Sequence, residues 1–130
     1  MSRLVLYSPL AVDLQNPCWI FEGAQLGAGS RLRVDVATVP FNFQIGELKD
    51  KISFPKPSTP EGELLVMLDH CEGEVIARLP LAPVAAAHRS GPTRLPAVAL
   101  PATGRHDLCL RFAQPRLEPV YIPDLVEVLP

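Results

Sequence analysis

No run of about 18 consecutive apolar residues occurs, the length a helix needs to cross a bilayer, so a helical membrane span is excluded. The first residues, MSRLVLYSPLAVDLQNP, hold an apolar stretch too short for a secretory leader and broken by Pro9. The protein is therefore expected in the cytoplasm if Met1 is its native start. The Gly-x-x-x-x-Gly-Lys-Ser/Thr pattern is absent, so the glycine-rich GAQLGAGS reads as a turn and not a phosphate loop. His70, His88 and His106 have no paired spacing, which speaks against a transition-metal site. Cysteine is limited to Cys18, Cys71 and Cys109. An odd count without a Cys-x-x-Cys pair argues against a disulfide framework or structural zinc. One bridge is left open, and free thiols are the simpler reading. Lysine is confined to Lys49, Lys51 and Lys56, and 12 basic against 14 acidic residues leave a net charge of −2. That distribution offers no basic stripe for nucleic acid or an anionic membrane. Aromatic residues make up 6% of the chain, so candidates for a stacking surface are few.

Proline and apolar residues are what the chain has in quantity. The 15 prolines lie at the ends of apolar segments and exclude long helices. Hydrophobic residues reach 48%, enough for a folded core, and a length of 130 residues fits one domain spanning 1–130.

The most informative stretch is GELLVMLDHCEGEVIARL, residues 62–79. Its apolar run Leu64 to Leu68 suits a strand buried on both faces, and Glu74 to Leu79 returns as a second strand. Between them lies a polar turn, with Gly73 able to take positive φ. RLRVDVA (31–37) alternates strictly, with Leu32, Val34 and Val36 on one face. FNFQIG (41–46) alternates likewise, and Ile52 and Phe54 open a further segment. RLVLY (3–7), AVAL (97–100) and RHDLCLRF (105–112) read as strands, and VAAAH (84–88) fits one helical turn between prolines. PVYIPDLVEVL is a strand interrupted by Pro123, the mark of an edge or a bulge. Roughly eight short strands of this kind predict an all-β fold, an antiparallel β-sandwich or jelly roll.

Chemistry is sparse. His70-Cys71 in the turn and His106-Asp107 entering a strand are read as solvated polar residues, because adjacent strand residues face opposite ways. The carboxylates Glu61, Glu63, Asp69, Glu72 and Glu74 lack the Asp-x-Asp-x-Asp pattern of a calcium loop and read as solvated charge. A sugar offers C–H faces to aromatic rings and hydroxyls to planar polar groups. The candidates for such contacts are Trp19, Tyr7 and Tyr121, with Asn42, Gln44 and Arg111. Trp19, within CWIF, is favoured as core.

From Gly62 onward the chain resembles a carbohydrate-binding module of family six, a galactose-binding-like β-sandwich, through VMLDHCEGEVIARLPL, TGRHDLCLRF and YIPDLVEV. The first half resembles it more loosely, through GSRLRVDV. The phrases NPCWIF, VPFNFQIG, TPEGEL and TGRHDLC are similar to the C-terminal accessory domain of bacterial family-twenty β-N-acetylhexosaminidases of the chitobiase type. The resemblance implies a non-catalytic accessory module that binds amino-sugar oligosaccharides weakly or packs on a glycosidase catalytic domain. The glycosidase's catalytic Asp-Glu pair has no counterpart here. No cofactor is required by this reading, and the resemblance implies a structural calcium site with Asp124 as the closing Asp and Glu22 as its partner. Two departures stand out. Ile122 and Pro123 precede Asp124 where sugar-binding members carry an Asn, and TRLPAVAL lacks the stacking Trp. The rival readings are a small enzyme with a dispersed Cys/His site and a self-associating structural domain, a homo-oligomer.

Overall fold

The computed structural model describes residues 3–7, 18–39, 57–87, 91–114 and 120–129. Within them the chain forms nine strands and one short helix. In order these are β1 (Arg3–Tyr7), β2 (Cys18–Leu26), β3 (Arg31–Val39), β4 (Glu63–Leu68), β5 (Val75–Pro80), α1 (Ala82–Ala87), β6 (Thr93–Arg94), β7 (Val98–Ala99), β8 (Gly104–Ala113) and β9 (Val120–Leu129). The fold is an all-β sandwich of two antiparallel sheets, as the alternation predicted. The first sheet has the order β1-β2-β8-β4-β5. In the second, β9 pairs with β3 along its length, while β6 and β7 pair with β3 at Asp35–Val36 and Arg31–Leu32.

Period-2 alternation places one face of each sheet in a common core. β3 contributes Leu32, Val34 and Val36, and each is fully buried. β4 contributes Leu64 and Val66, and β8 contributes Leu108, Leu110 and Phe112. Cross-strand register keeps these on one face, since Leu64 pairs with Phe112 and Val66 with Leu110. The intervening residues Leu65, Met67, Cys109 and Ala113 are buried as well, in a second cluster with Cys18 on the outer face of the first sheet. This explains the unbroken apolar run of β4: a strand covered on both sides has no wet face to alternate with.

Several boundaries differ from the sequence reading. Gly23 to Leu26 belong to β2, so the turn is confined to Gly27–Ser30, where the Gly27 N–H donates to Ser30 Oγ at 2.9 Å. A bulge between Phe21 and Ala24, with Gly23 at φ 69°, absorbs the glycine that suggested a loop. In the β4–β5 turn the left-handed residue is Asp69 (φ 66°) and not Gly73. Gly73 is needed for space: a Cβ there would lie 3.1 Å from the carbonyl oxygens of His70 and Leu68. β9 runs through Pro123 with a bulge opposite Asp35 and Val36, as the proline implied. α1 covers the helical turn expected after Pro83 but starts one residue earlier, at Ala82, with Pro83 in its first turn, while the two-residue β6 was not anticipated. FNFQIG and the segment opened by Ile52 lie outside the described residues.

Gly62 shows the tightest backbone approach. It has φ 89°, and a Cβ would fall 2.5 Å from the Ala113 carbonyl oxygen of β8. Gly62→Ala is therefore expected to lower unfolding stability by at least about 1–3 kcal/mol, the penalty of holding a non-glycine residue in a disfavoured backbone region. Urea unfolding of the two proteins measures this, and an unchanged midpoint would contradict the packing described.

Candidate functional site

The polar residues of LDH (68–70) and GRHD (104–107) meet where β4 ends and β8 begins. The Asp69 N–H donates to the Asp107 carbonyl at 2.8 Å, and the Asp107 N–H returns a bond to Asp69 Oδ1 at 3.0 Å. His106 Nδ1 lies 2.9 Å from Asp69 Oδ2, and its Nε2 lies 2.9 Å from the Thr103 carbonyl. Asp107 Oδ1 accepts the N–H of Gly23 at 2.9 Å. One network thus ties the β2 bulge, the start of β8 and the end of β4. Asp suits the left-handed position of residue 69, and its two oxygens accept from a neighbouring strand.

Both His106 nitrogens face oxygens, one a carboxylate and one a carbonyl, so both bonds require the doubly protonated ring. The bond that His106 donates to Asp69, and then the one to the Thr103 carbonyl, hold the His106 pKa above its ordinary 6.5. The His106 bond and the Asp107 N–H hold Asp69 below its ordinary 3.8. The signs define a window. His106 contributes fully below pH 6.5 and loses its contribution as pH rises through its raised value. Asp69 contributes fully above pH 3.8 and loses its contribution as pH falls through its lowered value.

A second group of side chains sits on the outer face of the first sheet. Cys18 at the start of β2 and Cys71 in the β4–β5 turn form a disulfide, with their Cα atoms 6.1 Å apart across 53 positions of sequence. This corrects the reading of free thiols and of Cys71 as a solvated turn residue. Sequence adjacency with His70 was the wrong guide, because the partner comes from a distant strand. The bridge closes a loop worth about 4 kcal/mol in the chain-entropy account. Cys109, fully buried on β8, retains its thiol. Burial first, with help from Asp107, Asp69 and Glu72, pushes that thiol up to about 11. The three Sγ atoms lie within 4.8 Å of one another, and no other group of three candidate metal-ligating side chains occurs among the described residues.

Glu63 also departs from the solvated reading. It is 1% exposed. Its carboxylate accepts the Ser58 N–H at 2.9 Å and the Ser58 hydroxyl, and pairs with Arg78. Burial raises its pKa, but the Ser58 bonds and Arg78 outweigh it, so the net shift is downward. Asp69, engaged in the strand network, is likewise more than solvated charge.

The residues singled out for sugar binding occupy opposite faces. Trp19 is half-buried and packs on the inner core, and its Nε1 is buried without a hydrogen-bond partner. Tyr121 is 6% exposed and its ring lies 5.6 Å from that of Phe112. Arg111 pairs with Leu65 on the outer face, and its Nε is buried and unpartnered. Tyr7 lies in β1, of which the structure describes the backbone, and Asn42 and Gln44 lie outside the described residues. Glu22 stands on β2 opposite Arg3. Asp124 is exposed at the β9 bulge, on the other sheet.

One solved structure gives the fold a counterpart. A family 6 carbohydrate-binding module from Clostridium cellulolyticum, crystallised in complex with xylose, superposes with a TM-score of 0.59 at 15% identity, covering 88% of this chain and 73% of that one. At this identity the likeness is one of fold. No protein-family model matches the sequence, and no curated protein matches it.

Two outcomes are expected. In an NMR titration His106 should titrate above 6.5 and Asp69→Asn should bring it down; a midpoint at or below 6.5 in the unaltered protein would contradict the network. Glu63→Gln should lower stability at neutral pH by about 1.5–3 kcal/mol, the range for hydrogen bonds to a charged group. That difference should shrink as pH falls through the lowered Glu63 value, and denaturant unfolding across pH measures it.

Proposed function

We propose that the chain is a non-catalytic accessory module that binds carbohydrate weakly, in association with a glycosidase of the β-N-acetylhexosaminidase type. The observation that carries this reading is the shared β-sandwich, which spans 88% of the chain and matches a module solved with a bound sugar. The glycosidase setting rests on the resemblance of NPCWIF, TPEGEL and TGRHDLC.

Residue placement supports this reading over a dispersed Cys/His enzyme. Cys71 is held in a disulfide. His106 is occupied by two oxygen partners. Cys109 is buried, with its thiol at about 11, far from the range of an activated nucleophile. Trp19 and Tyr121 face the core, and their part in this reading is to hold the sandwich together. Sugar hydroxyls are assigned to the planar amides of Asn42 and Gln44, which can donate and accept at once.

Calorimetric titration with xylo-oligosaccharides and with chito-oligosaccharides tests the proposal. A saturable heat with a Kd of about 1 mM, equivalent to about −4 kcal/mol, and its loss in Asn42→Ala or Gln44→Ala proteins that remain folded, is the expected outcome. No heat with either series at millimolar sugar would overturn the binding role.

A further inference from the structure

The three cysteines form a cluster that the fold does not need in full. Two suffice for the cross-link, yet a third sulfur is buried within 4.8 Å of both. The cluster is sulfur-rich beyond the cysteines: Met67 is paired with Cys109 across the β4–β8 ladder and lies in the same apolar cluster with Leu65 and Ala113. Arg111 follows Cys109 by two positions on the same strand face, beside Leu65, with a buried Nε that has no partner.

We propose that, when the Cys18–Cys71 bond is reduced, Cys18, Cys71 and Cys109 form a three-thiolate site for a soft metal ion, Cu(I). A metal bonded to three sulfurs at ~2.3 Å requires them ~4 Å apart. The Cys109 Sγ already lies within 4.8 Å of the other two, on adjoining strands and a turn, and reduction frees the bonded Cys18 and Cys71 sulfurs to move apart around the ion. Thiolate and thioether donors in an apolar surround select a soft ion. Zinc prefers four ligands from nitrogen, thiolate or carboxylate, and a fourth of that kind is not grouped with these three among the described residues. Thiolates also supply acceptors on the face that carries the unpartnered Arg111 donor. Cys71 is half-buried, so the cluster has an approach from solvent.

The chemistry balances with one co-reactant, a dithiol. Its two electrons and two protons break the S–S bond and leave Cys18 and Cys71 as thiols, while the dithiol becomes a disulfide. Cu(I) then replaces thiol protons, which pass to water, and the metal does not change oxidation state. Loss of the metal returns protons from water to the sulfurs, and exchange with the disulfide form of that co-reactant, which takes up the two electrons and two protons and becomes the dithiol, restores the bridge.

The experiment is an anaerobic competition between the whole chain and a chromogenic Cu(I) chelator, with the protein either oxidised or reduced by dithiol and then desalted. Reduced protein should take up about one Cu(I) per chain and oxidised protein none, as expected of a soft-metal thiolate site. Cys109→Ala should weaken uptake by at least about tenfold, the lower bound for losing even an outer-shell partner. Comparing oxidised with reduced unaltered protein keeps the test valid even if the variant unfolds. Equal uptake by the two forms, or ready displacement of Cu(I) by equimolar Zn(II), would overturn the proposal.

Discussion

The structure depends on the burial of the β4–β8 ladder on both faces. β8 lies between β2 and β4, and its inner residues Leu108, Leu110 and Phe112 pack against Leu32, Val34 and Val36 of the opposite sheet. Its outer residues Cys109 and Ala113 pack with Leu65, Met67 and Cys18. Burying a side chain of this size contributes about 1.5–3 kcal/mol, so the double burial makes this ladder the stable centre. A strand covered on both faces cannot slip by one residue without exchanging two apolar sets that differ in size, and the register is thereby specified.

Polar groups at the margins of this ladder are placed for construction. Asp69 caps the end of β4 while bonding the backbone and His106 of β8, and Asp107 reaches back to the β2 bulge. Glu63 anchors the other end of β4 through Ser58 and Arg78. The phrase TGRHDLCLRF, the strongest local signal in the sequence, is thus explained by strand-to-strand bonding. Of the residues that suggest catalysis by type, His106 is committed to hydrogen bonds and Cys71 to a bridge.

How far the sequence could be read follows the range of the interactions. Alternation within RLRVDVA and the double-sided run of β4 are local, and both matched the structure residue by residue. The Pro123 interruption was visible because proline acts on its own strand. The bulge at Gly23 was not, since a glycine in a bulge and a glycine in a turn look alike until the partner strand is known. The Cys18–Cys71 bridge, the burial of Glu63 and the left-handed Asp69 all depend on residues from other strands. Core placement of Tyr121 depends equally on Phe112, a residue of the neighbouring sheet.

The most direct test of this account is native-state hydrogen exchange of individual amides. If the β4–β8 ladder and its polar ties form the stable centre, the amides of Leu110, Asp69, Asp107 and Gly23 should exchange only through global unfolding, with the largest protection in the protein. Fast exchange of Asp69, Asp107 and Gly23, at the rate of the Gly27–Ser30 turn, would show that the network does not join the strands and would contradict the central claim.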